Sequence, residues 1–576
     1  METTEIYREW LTAGALSEEE KAELAAIASD PAEIEERFYR ELEFGTAGLR
    51  GVIRQGTNGM NRHVVRRATQ GLADYMNGIP GAAAKGVVIA YDSRRFSDVF
   101  AKEAACVLAA NGIRVRLFST LHSVPQLSYA VRHQGCEAGI VITASHNPAK
   151  YNGYKVYWAY GGQCTPAQAD EIYKEIQKVP FFTAKSVCYD AAVADGSIGL
   201  IGAEEDAAYY EVTKSVLNRP ELLKEKGGSL PIVYTPLHGA GNVPVNAILK
   251  EIGITNVYTV PEQQLPDGNF PTVKAPNPED PDAFTLATKL AEEKGATVIL
   301  ATDPDSDRLG ISVKTHAGDW VVLTGNQIGC ILLNHIITER KAAGTLPENA
   351  LVVKSIVSTT LADAICEKNG VKLENVLTGF RFISEKIDEC ERTKESSYLF
   401  GFEESFGFLA GGFSRDKDAV CSAMLAAEAC IVYAERGMTL YDALQEIYAT
   451  YGIYKEKVSS YTLEGKAGME KIKGCMQALR DKPFTELGGV AVAVSEDYAA
   501  RLRKRACGCT EEISLPKSDM LRYVLEDGSW LVVRPSGTEP KLKLYTGANA
   551  PDEATLDALL ARLFNAAETR IKAELA

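Results

Sequence analysis

The stretch Thr143–Pro148 places the hydroxyl of Ser145 beside the imidazole of His146. The apolar run before it predicts a buried strand that delivers the serine to its carboxyl end, where open α/β sheets bind their ligands. The closing proline disfavours helical backbone and stiffens the loop. Asn152-Gly153 predicts a turn, after which Lys155 would join the hydroxyl and the imidazole. Taken alone, a Ser-His pair is equally compatible with a surface turn.

Three carboxylates follow a second apolar run at alternate positions: Asp303, Asp305 and Asp307 come after residues 296–300. Alternate residues of an extended chain point the same way, so we expect the carboxylates to converge. They would repel one another unless a cation lay among them, and oxygen ligands suit Mg²⁺. An EF-hand is excluded because Arg308 stands where that loop needs glycine. A solvated acidic turn is the alternative.

A third stretch, residues 401–407, places Glu403 and Ser405 between glycines. Carboxylate and hydroxyl groups in this setting are suited to hydrogen bonding with polyols. Lys417 lies nearby in a cluster of alternating charges. By itself the stretch is also explained as a surface turn.

A fourth stretch, residues 534–541, offers the groups of a phosphate site after another apolar run. A guanidinium, two hydroxyls and glycine backbone N–H groups can surround an anion. The alternative is a Pro/Gly turn in a small domain. The predicted phosphate ligands are Arg534, Ser536, Gly537 and Thr538.

Composition limits the class of protein. The 576 residues carry a net charge of −15, with a pI of about 5.2, which argues against nucleic-acid or anionic-membrane binding. An anionic small substrate remains compatible. Twelve scattered cysteines, with one close pair at Cys507 and Cys509, predict reduced thiols rather than a zinc site. A charged N-terminus and the lack of a long apolar run predict no signal peptide and a cytoplasmic location.

Three segments repeat the pattern strand, helix, glycine, strand, which is typical of a βαβ unit. They span residues 86–115, 230–257 and 349–371, and chance similarity is the alternative to repetition. From Tyr454, short alternating segments predict an antiparallel sheet, with a helix over residues 552–575. The predicted fold is α/β, with three similar mixed α/β domains and a C-terminal α+β domain. The predicted parts are a helical extension 1–43 and domains 44–208, 209–325, 326–453 and 454–576.

The order of these four stretches resembles the α-D-phosphohexomutases, within them the branch that holds bacterial phosphoglucomutases and phosphopentomutases. The resemblance runs from about Phe44 to the C-terminal helix. It implies four domains around a central cleft and a cytoplasmic enzyme that isomerises sugar phosphates as a monomer or homodimer. The implied reaction interconverts α-D-glucose 1-phosphate and glucose 6-phosphate through glucose 1,6-bisphosphate. A phosphopentomutase and a glucose 1,6-bisphosphate synthase remain alternatives.

The resemblance also implies roles for individual residues. Ser145 would carry a phosphoryl group and, with the three aspartates, ligate Mg²⁺. The basic catalytic groups would be Arg50, His146, Lys155 and Lys417. The sugar would be bound by Arg308, Thr378, Gly379, Glu403 and Ser405, and the distal phosphate by Arg534, Ser536, Gly537 and Thr538. Arg381 departs from the family, which usually has lysine there, and this substitution changes the donor geometry.

Overall fold

The computed structural model of the protein describes residues 3–45, 48–463, 465–536 and 541–576. It divides into two compact units. The first comprises Met1–Gly325, Ile387–Arg392 and Ser405–Thr439, and the second comprises Asn326–Lys386, Thr393–Glu404 and Leu440–Ala576.

The α-helices are α1 Thr3–Thr12, α2 Glu18–Ala25, α3 Pro31–Phe38, α4 Arg62–Asn77, α5 Ala82–Lys85, α6 Ser97–Ala110, α7 Val124–His133, α8 Pro166–Lys178, α9 Tyr189–Ala194, α10 Ala203–Lys214, α11 Pro220–Lys226, α12 Asn242–Glu251, α13 Pro261–Gln264, α14 Thr285–Lys294, α15 Gly325–Ala342, α16 Leu361–Asn369, α17 Phe380–Thr393, α18 Ala419–Ala434, α19 Leu440–Tyr451, α20 Gly465–Asp481 and α21 Glu553–Leu575.

The strands are β1 Gly48–Val52, β2 Val87–Tyr91, β3 Val115–Phe118, β4 Ala138–Ile142, β5 Tyr151–Trp158, β6 Ile198–Ile201, β7 Ile232–Thr235, β8 Val257–Thr259, β9 Val298–Thr302, β10 Leu309–Lys314, β11 Trp320–Val322, β12 Ala350–Ser355, β13 Lys372–Val376, β14 Ser397–Glu403, β15 Gly407–Ala410, β16 Ile453–Thr462, β17 Glu486–Leu487, β18 Val490–Asp497, β19 Leu502–Arg505, β20 Thr510–Glu512, β21 Leu521–Leu525, β22 Trp530–Pro535 and β23 Lys541–Ala550.

The N-terminal arm is helical, as predicted. Ser17 and Glu20 form a capping box at the start of α2. Pro31 begins α3, with Asp30 as the N-cap, and the helix ends at Phe38. The three helices share one apolar cluster, in which the ring of Trp10 lies 5.2 Å from that of Phe181 of the first unit.

The three predicted βαβ units are present. Strands β2 and β3, β7 and β8, and β12 and β13 pair in parallel. Gly112, Gly253 and Gly370, which follow the connecting helices, adopt positive φ, where glycine has no Cβ penalty. The sheets of the first unit have the orders β1-β5-β4-β2-β3-β6 and β11-β10-β9-β7-β8, and the second unit pairs β13-β12-β14. These sheets confirm the mixed α/β class.

The turn predicted at Asn152-Gly153 is wrong, because both residues lie inside β5. That strand pairs with β1 on one side and with β4 on the other. A Cβ on Gly153 would lie 2.5 Å from the carbonyl oxygen of Thr143 and 2.8 Å from that of Leu49. The glycine therefore permits close backbone packing in a central strand, and this tertiary need overrides the local turn signal.

The C-terminal part of the second unit is an antiparallel sheet in the order β16-β23-β22-β21-β18-β19-β20. The four strands that the sequence predicts there are present, which confirms the α+β class. Helix α21 covers the sheet with the buried side chains of Leu556, Leu563, Phe564 and Ile571. The sequence did not predict β16, which is polar and has no fully buried residue, so it lacks the alternation of a half-buried strand.

Candidate active site

Ser145 follows β4, whose five residues are all buried. Its backbone N–H donates to the hydroxyl of Thr143 at 2.9 Å, and its hydroxyl donates to Asp303 Oδ2 at 2.6 Å. The His146 Nδ1 atom lies 3.2 Å from the same hydroxyl. Ser145 has φ +50°, a conformation that a residue with a Cβ keeps only where its surroundings enforce it.

The group that enforces this loop conformation is Arg94, which the sequence analysis did not single out. Its buried guanidinium donates to the carbonyl of Ser145 at 2.5 Å and to those of Pro148 and Tyr151 at 3.1 Å each. It also donates to the carbonyl of Asn147. One side chain therefore satisfies four carbonyls of the loop.

Arg94 is itself fixed by Asp92, whose carboxylate lies 3.4 Å from its Nε atom. Ser97 donates to the same carboxylate at 2.7 Å. Burial lowers the pKa of Arg94 and raises that of Asp92. The sequence could have indicated that Asp92 and Arg94 lie near Ser145, since both follow β2 at the same sheet edge where Ser145 follows β4.

The three aspartates converge in a tight turn rather than on an extended chain, which corrects the predicted geometry. Ser306 has φ +54°, and its N–H donates to the carbonyl of Asp303 at 2.9 Å. Asp303 Oδ1 accepts the N–H groups of Asp307 at 3.1 Å and of Arg308 at 3.0 Å. One oxygen from each of the three carboxylates, all buried, lies within 4.8 Å of the others.

Two lysines approach this acidic turn. Lys155 Nζ, on β5 rather than on a loop, lies 3.0 Å from Asp305 and 3.9 Å from Asp307. Lys417 Nζ lies 3.1 Å from Asp307. A Cβ on Gly407 would lie 2.1 Å from Lys417 Cδ, so the absence of a side chain there gives the lysine its path to the aspartate.

Charge and burial shift the ionisation of these carboxyl groups in different directions. Burial, together with the neighbouring carboxylates, raises the pKa of Asp303 and that of Asp307. Burial would also raise the pKa of Asp305, but the Lys155 ammonium, a hydrogen bond with Asp303 and the Lys417 charge together hold that pKa below its ordinary range. Crowded buried carboxylates of this kind favour a bound cation, which would stabilise their charged forms.

The carboxylates also retain free ligand atoms. Asp305 Oδ1 and Asp307 Oδ1 are buried and have no hydrogen-bond partner among the described residues. Oxygen-only donors of this type suit a hard divalent cation. The residues present therefore fit the predicted metal.

Arg50, His146 and Arg308 complete the cluster in the first unit. The Arg50 Nη1 atom lies 3.4 Å from Asn147 Oδ1, and Arg308 forms an ion pair with Glu279. Burial, followed by the charges of Arg308 and Arg50, lowers the pKa of His146 well below its ordinary value. Two neighbouring guanidinium groups thus disfavour the protonated form of this histidine.

The predicted sugar ligands of the second unit meet at the end of β14. The N–H of Gly379, which has φ +119°, donates to Glu403 Oε1 at 2.7 Å. Glu403 is the buried last residue of the strand, whereas the sequence placed it in a loop. Thr378, next to the glycine, is half-buried. Ser405 belongs to the first unit, so the structure does not relate it to Gly379.

Two of the predicted phosphate ligands, Arg534 and Ser536, lie at the end of β22. The Ser536 N–H donates to the carbonyl of Lys541 at 2.7 Å. Arg534 Nη1 is buried without a hydrogen-bond partner among the described residues. A buried donor of this kind is costly unless a ligand satisfies it. Gly537 and Thr538 lie outside the described residues.

Four family profiles match the chain, all described as phosphoglucomutase/phosphomannomutase domains. The α/β/α domains I, II and III match residues 41–182, 208–318 and 324–451, and the C-terminal domain matches residues 480–566. Among the helices of the described part of the chain, none is long and apolar enough to cross a membrane.

Similar proteins carry related names. A phosphoglucomutase from Staphylococcus saprophyticus is 38% identical over 511 residues, which is 88% of this chain and 90% of that protein. One from Staphylococcus aureus is 36% identical over 523 residues, covering 90% and 92% of the two chains.

Two solved structures share the fold. The phosphoglucomutase parafusin from Paramecium, in an open form, has a TM-score of 0.67 at 18% identity and covers 93% of this chain and 95% of its own. A phosphoglucomutase/phosphomannomutase family protein from Burkholderia thailandensis has a TM-score of 0.64 at 19% identity and covers 92% and 97%.

Proposed function

Because the chain belongs to the phosphoglucomutase/phosphomannomutase family, we propose that it interconverts α-D-glucose 1-phosphate and glucose 6-phosphate through a phosphoserine. The observation that carries the proposal is the Ser145 hydroxyl, 2.6 Å from Asp303 in a buried turn of three aspartates. The names of the relatives support glucose as the sugar.

Ser145 is the proposed phosphoryl carrier. The bond between its oxygen and phosphorus would break as a sugar hydroxyl bonds to that phosphorus. The proton of the sugar hydroxyl would pass to a nearby base, and the released Ser145 oxygen would take up a proton to become a hydroxyl. The product, glucose 1,6-bisphosphate, would turn round and return its other phosphoryl group to Ser145. This second transfer releases the isomer and restores the phosphoserine.

Asp303, Asp305 and Asp307 are the proposed ligands of Mg²⁺, together with an oxygen of the phosphoserine. When bound, the ion would offset negative charge on the transferring group. Lys155 and Lys417 support the same charge balance, since each already lies against one of these carboxylates. Arg50, His146 and Arg308 add the remaining positive or proton-accepting groups.

The substrate sites are proposed for the second unit, with Ser405 and Arg308 of the first. Thr378, Gly379, Glu403 and Ser405 would hold the sugar hydroxyls, because a carboxylate accepts the bonds that hydroxyls donate. Arg534, Ser536, Gly537 and Thr538 would bind the phosphate that is not reacting, and the orphaned guanidinium nitrogen of Arg534 supports this. A central cleft between the domains remains a prediction, as do a cytoplasmic location and a monomeric or dimeric state.

The test is a comparison of kcat/KM for glucose 1-phosphate, mannose 1-phosphate and ribose 1-phosphate with purified protein and Mg²⁺. We expect glucose 1-phosphate to exceed the others by at least about tenfold, which is roughly 1.4 kcal/mol of transition-state binding. A tenfold preference for ribose 1-phosphate would instead identify a phosphopentomutase. Accumulation of glucose 1,6-bisphosphate from an external phosphoryl donor, with little isomer, would identify a bisphosphate synthase.

A further inference from the structure

Three of the twelve cysteines are exposed, and two of these lie side by side. All twelve are described and carry free thiols, of which Cys188, Cys507 and Cys509 are exposed and the others buried. Burial raises the pKa of the thiols of Cys106 and Cys475 to about 11. The buried thiols are therefore poor nucleophiles, whereas the exposed ones are open to reagents in solution.

Cys507 and Cys509 form the turn of the hairpin that joins β19 to β20, at the edge of the C-terminal sheet. The N–H of Arg505 donates to the carbonyl of Cys509 at 2.9 Å, and the N–H of Gly508 donates to that of Arg505 at 2.9 Å. Gly508 has φ +84° and open space around it. This left-handed glycine turns the chain so that both thiols project from the same side.

The two sulfur atoms lie 2.6 Å apart, close to the roughly 2.05 Å of a disulfide bond. Little backbone movement is thus needed to join them. In an intracellular protein, an exposed pair of this kind is more often redox-sensitive than structural. The proposed sugar-phosphate chemistry makes no use of either thiol.

We propose that Cys507 and Cys509 form a redox-sensitive dithiol that closes reversibly to a disulfide by exchange with a small-molecule disulfide such as glutathione disulfide. The assignment rests on the hairpin geometry, the exposure of both thiols and the short distance between their sulfur atoms.

Cys507 is the attacking group. The hydrogen bond between the two thiols and, to a smaller extent, the nearby Arg505 guanidinium lower the pKa of the Cys507 thiol, while the same contact raises the pKa of Cys509. The Cys507 thiolate bonds to one sulfur of the small disulfide, whose S–S bond breaks and releases one thiolate. Cys509 then attacks the sulfur of Cys507 and releases the second.

The exchange is balanced in electrons and protons. The protein is oxidised by two electrons and the small disulfide is reduced to two thiols, which take up the protons that the two cysteines lose. An excess of a small dithiol such as dithiothreitol reverses the reaction. The phosphotransfer reaction is not involved, so this inference stands or falls independently of the proposed function.

The experiment treats the native full-length protein with glutathione disulfide, then alkylates accessible thiols and identifies the modified peptides by mass spectrometry. We expect the peptide that carries both cysteines to lose two hydrogens and to escape alkylation, and dithiothreitol to restore labelling. Cys188, the matched exposed single cysteine, should form only a mixed disulfide. Stable glutathione adducts on both Cys507 and Cys509, or a cross-link between two chains, would overturn the proposal.

Two variants test the order of attack. Cys509→Ser should trap glutathione on Cys507, because the resolving thiol is gone. Cys507→Ser should leave Cys509 reacting several-fold more slowly, at a rate close to that of Cys188. Equal rates for the two variants would contradict the role of Cys507. Both residues are exposed at a hairpin turn, so the fold of each variant is checked by its circular dichroism and unfolding temperature.

Discussion

Ser145 and Arg534 both lie at the carboxyl end of a buried strand, but they differ in how many of their polar groups have hydrogen-bond partners. The hydroxyl, the N–H and the carbonyl of Ser145 each form a hydrogen bond within the protein. Arg534 has a buried guanidinium nitrogen without a partner among the described residues. From this difference we infer that the proposed reacting group is fixed in advance, whereas the proposed distal phosphate site is completed by its ligand.

This comparison predicts two kinds of kinetic effect. Substitutions around Ser145 should lower kcat, because they act on groups that the protein already holds in place. Substitutions around Arg534 should raise KM, because they remove bonds that only the bound phosphate makes.

Ser145→Ala should lower kcat by at least about a thousandfold, since it removes the proposed phosphoryl carrier. The measurement is steady-state turnover of glucose 1-phosphate in a coupled assay. Ser536→Ala is the matched control, and it should change mainly KM. Near-normal turnover by a purified Ser145→Ala protein would refute the phosphoserine route.

Asp305→Asn should lower activity more than the roughly 10- to 100-fold that loss of an outer-shell partner costs. A higher Mg²⁺ concentration should restore part of the lost activity, because the remaining carboxylates still bind the ion weakly. The control is Asp206→Asn, which alters a carboxylate that accepts from Gln126 at 2.7 Å and contacts His122 instead. Full activity of the native protein in excess chelator would contradict the metal site.

Arg94→Lys should lower kcat by roughly a hundredfold, the cost of a small misplacement of a reacting group. A lysine cannot satisfy four carbonyls in the fixed geometry of a guanidinium. Arg95→Lys is the matched control, because Arg95 is exposed and makes one long hydrogen bond to Ala149. If the Arg94 role is positional, the Mg²⁺ concentration for half-maximal activity stays unchanged. Equal loss in both variants would contradict the role of Arg94.

Arg534→Lys should raise KM for glucose 1-phosphate by about tenfold or more, with kcat within a few-fold of the native value. Hydrogen bonds to charged groups contribute roughly 1.5–3 kcal/mol, and lysine loses the planar fork. Arg522→Lys alters an arginine of the same sheet that is ion-paired with Glu496 at 3.0 Å, so it should affect stability rather than KM. A fall in kcat alone for Arg534→Lys would show that the two regions do not differ as described.

The last prediction concerns stability rather than activity, and it involves the buried carboxyl group of Asp418. Burial raises its pKa to about 7, so the folded protein keeps a proton that the unfolded chain releases above its ordinary pKa. This contribution to stability is complete at low pH and is lost as the pH rises through 7.

Between pH 5 and pH 7 the native protein should therefore lose about 2 kcal/mol more free energy of unfolding than Asp418→Asn does, by proton linkage. The variant keeps the N-cap of α18, since asparagine also caps helices well. Urea unfolding at the two pH values measures the difference. An identical pH dependence in both proteins would show that Asp418 does not carry the buried proton.

The sequence located the strands before Ser145 and Asp303 because both are short, apolar and β-branched. The role of Arg94 was not predictable from local pattern, since the carbonyls it binds lie more than fifty residues away. The prediction of a turn at Asn152-Gly153 was wrong for the same reason, because strand pairing on both sides of β5 outweighs a local dipeptide preference. Side-chain partners that lie far apart in the chain leave no periodic signal.

The central claim is that Ser145 carries a phosphoryl group that passes to the sugar. The most direct test isolates the protein with a radiolabelled phosphate on Ser145, confirms the site by mass spectrometry, and adds unlabelled glucose 1-phosphate in a rapid-mixing experiment. The account predicts that label leaves the protein at least as fast as turnover and is found first in glucose 1,6-bisphosphate and then in glucose phosphate. Label that stays on the protein through many turnovers would contradict it.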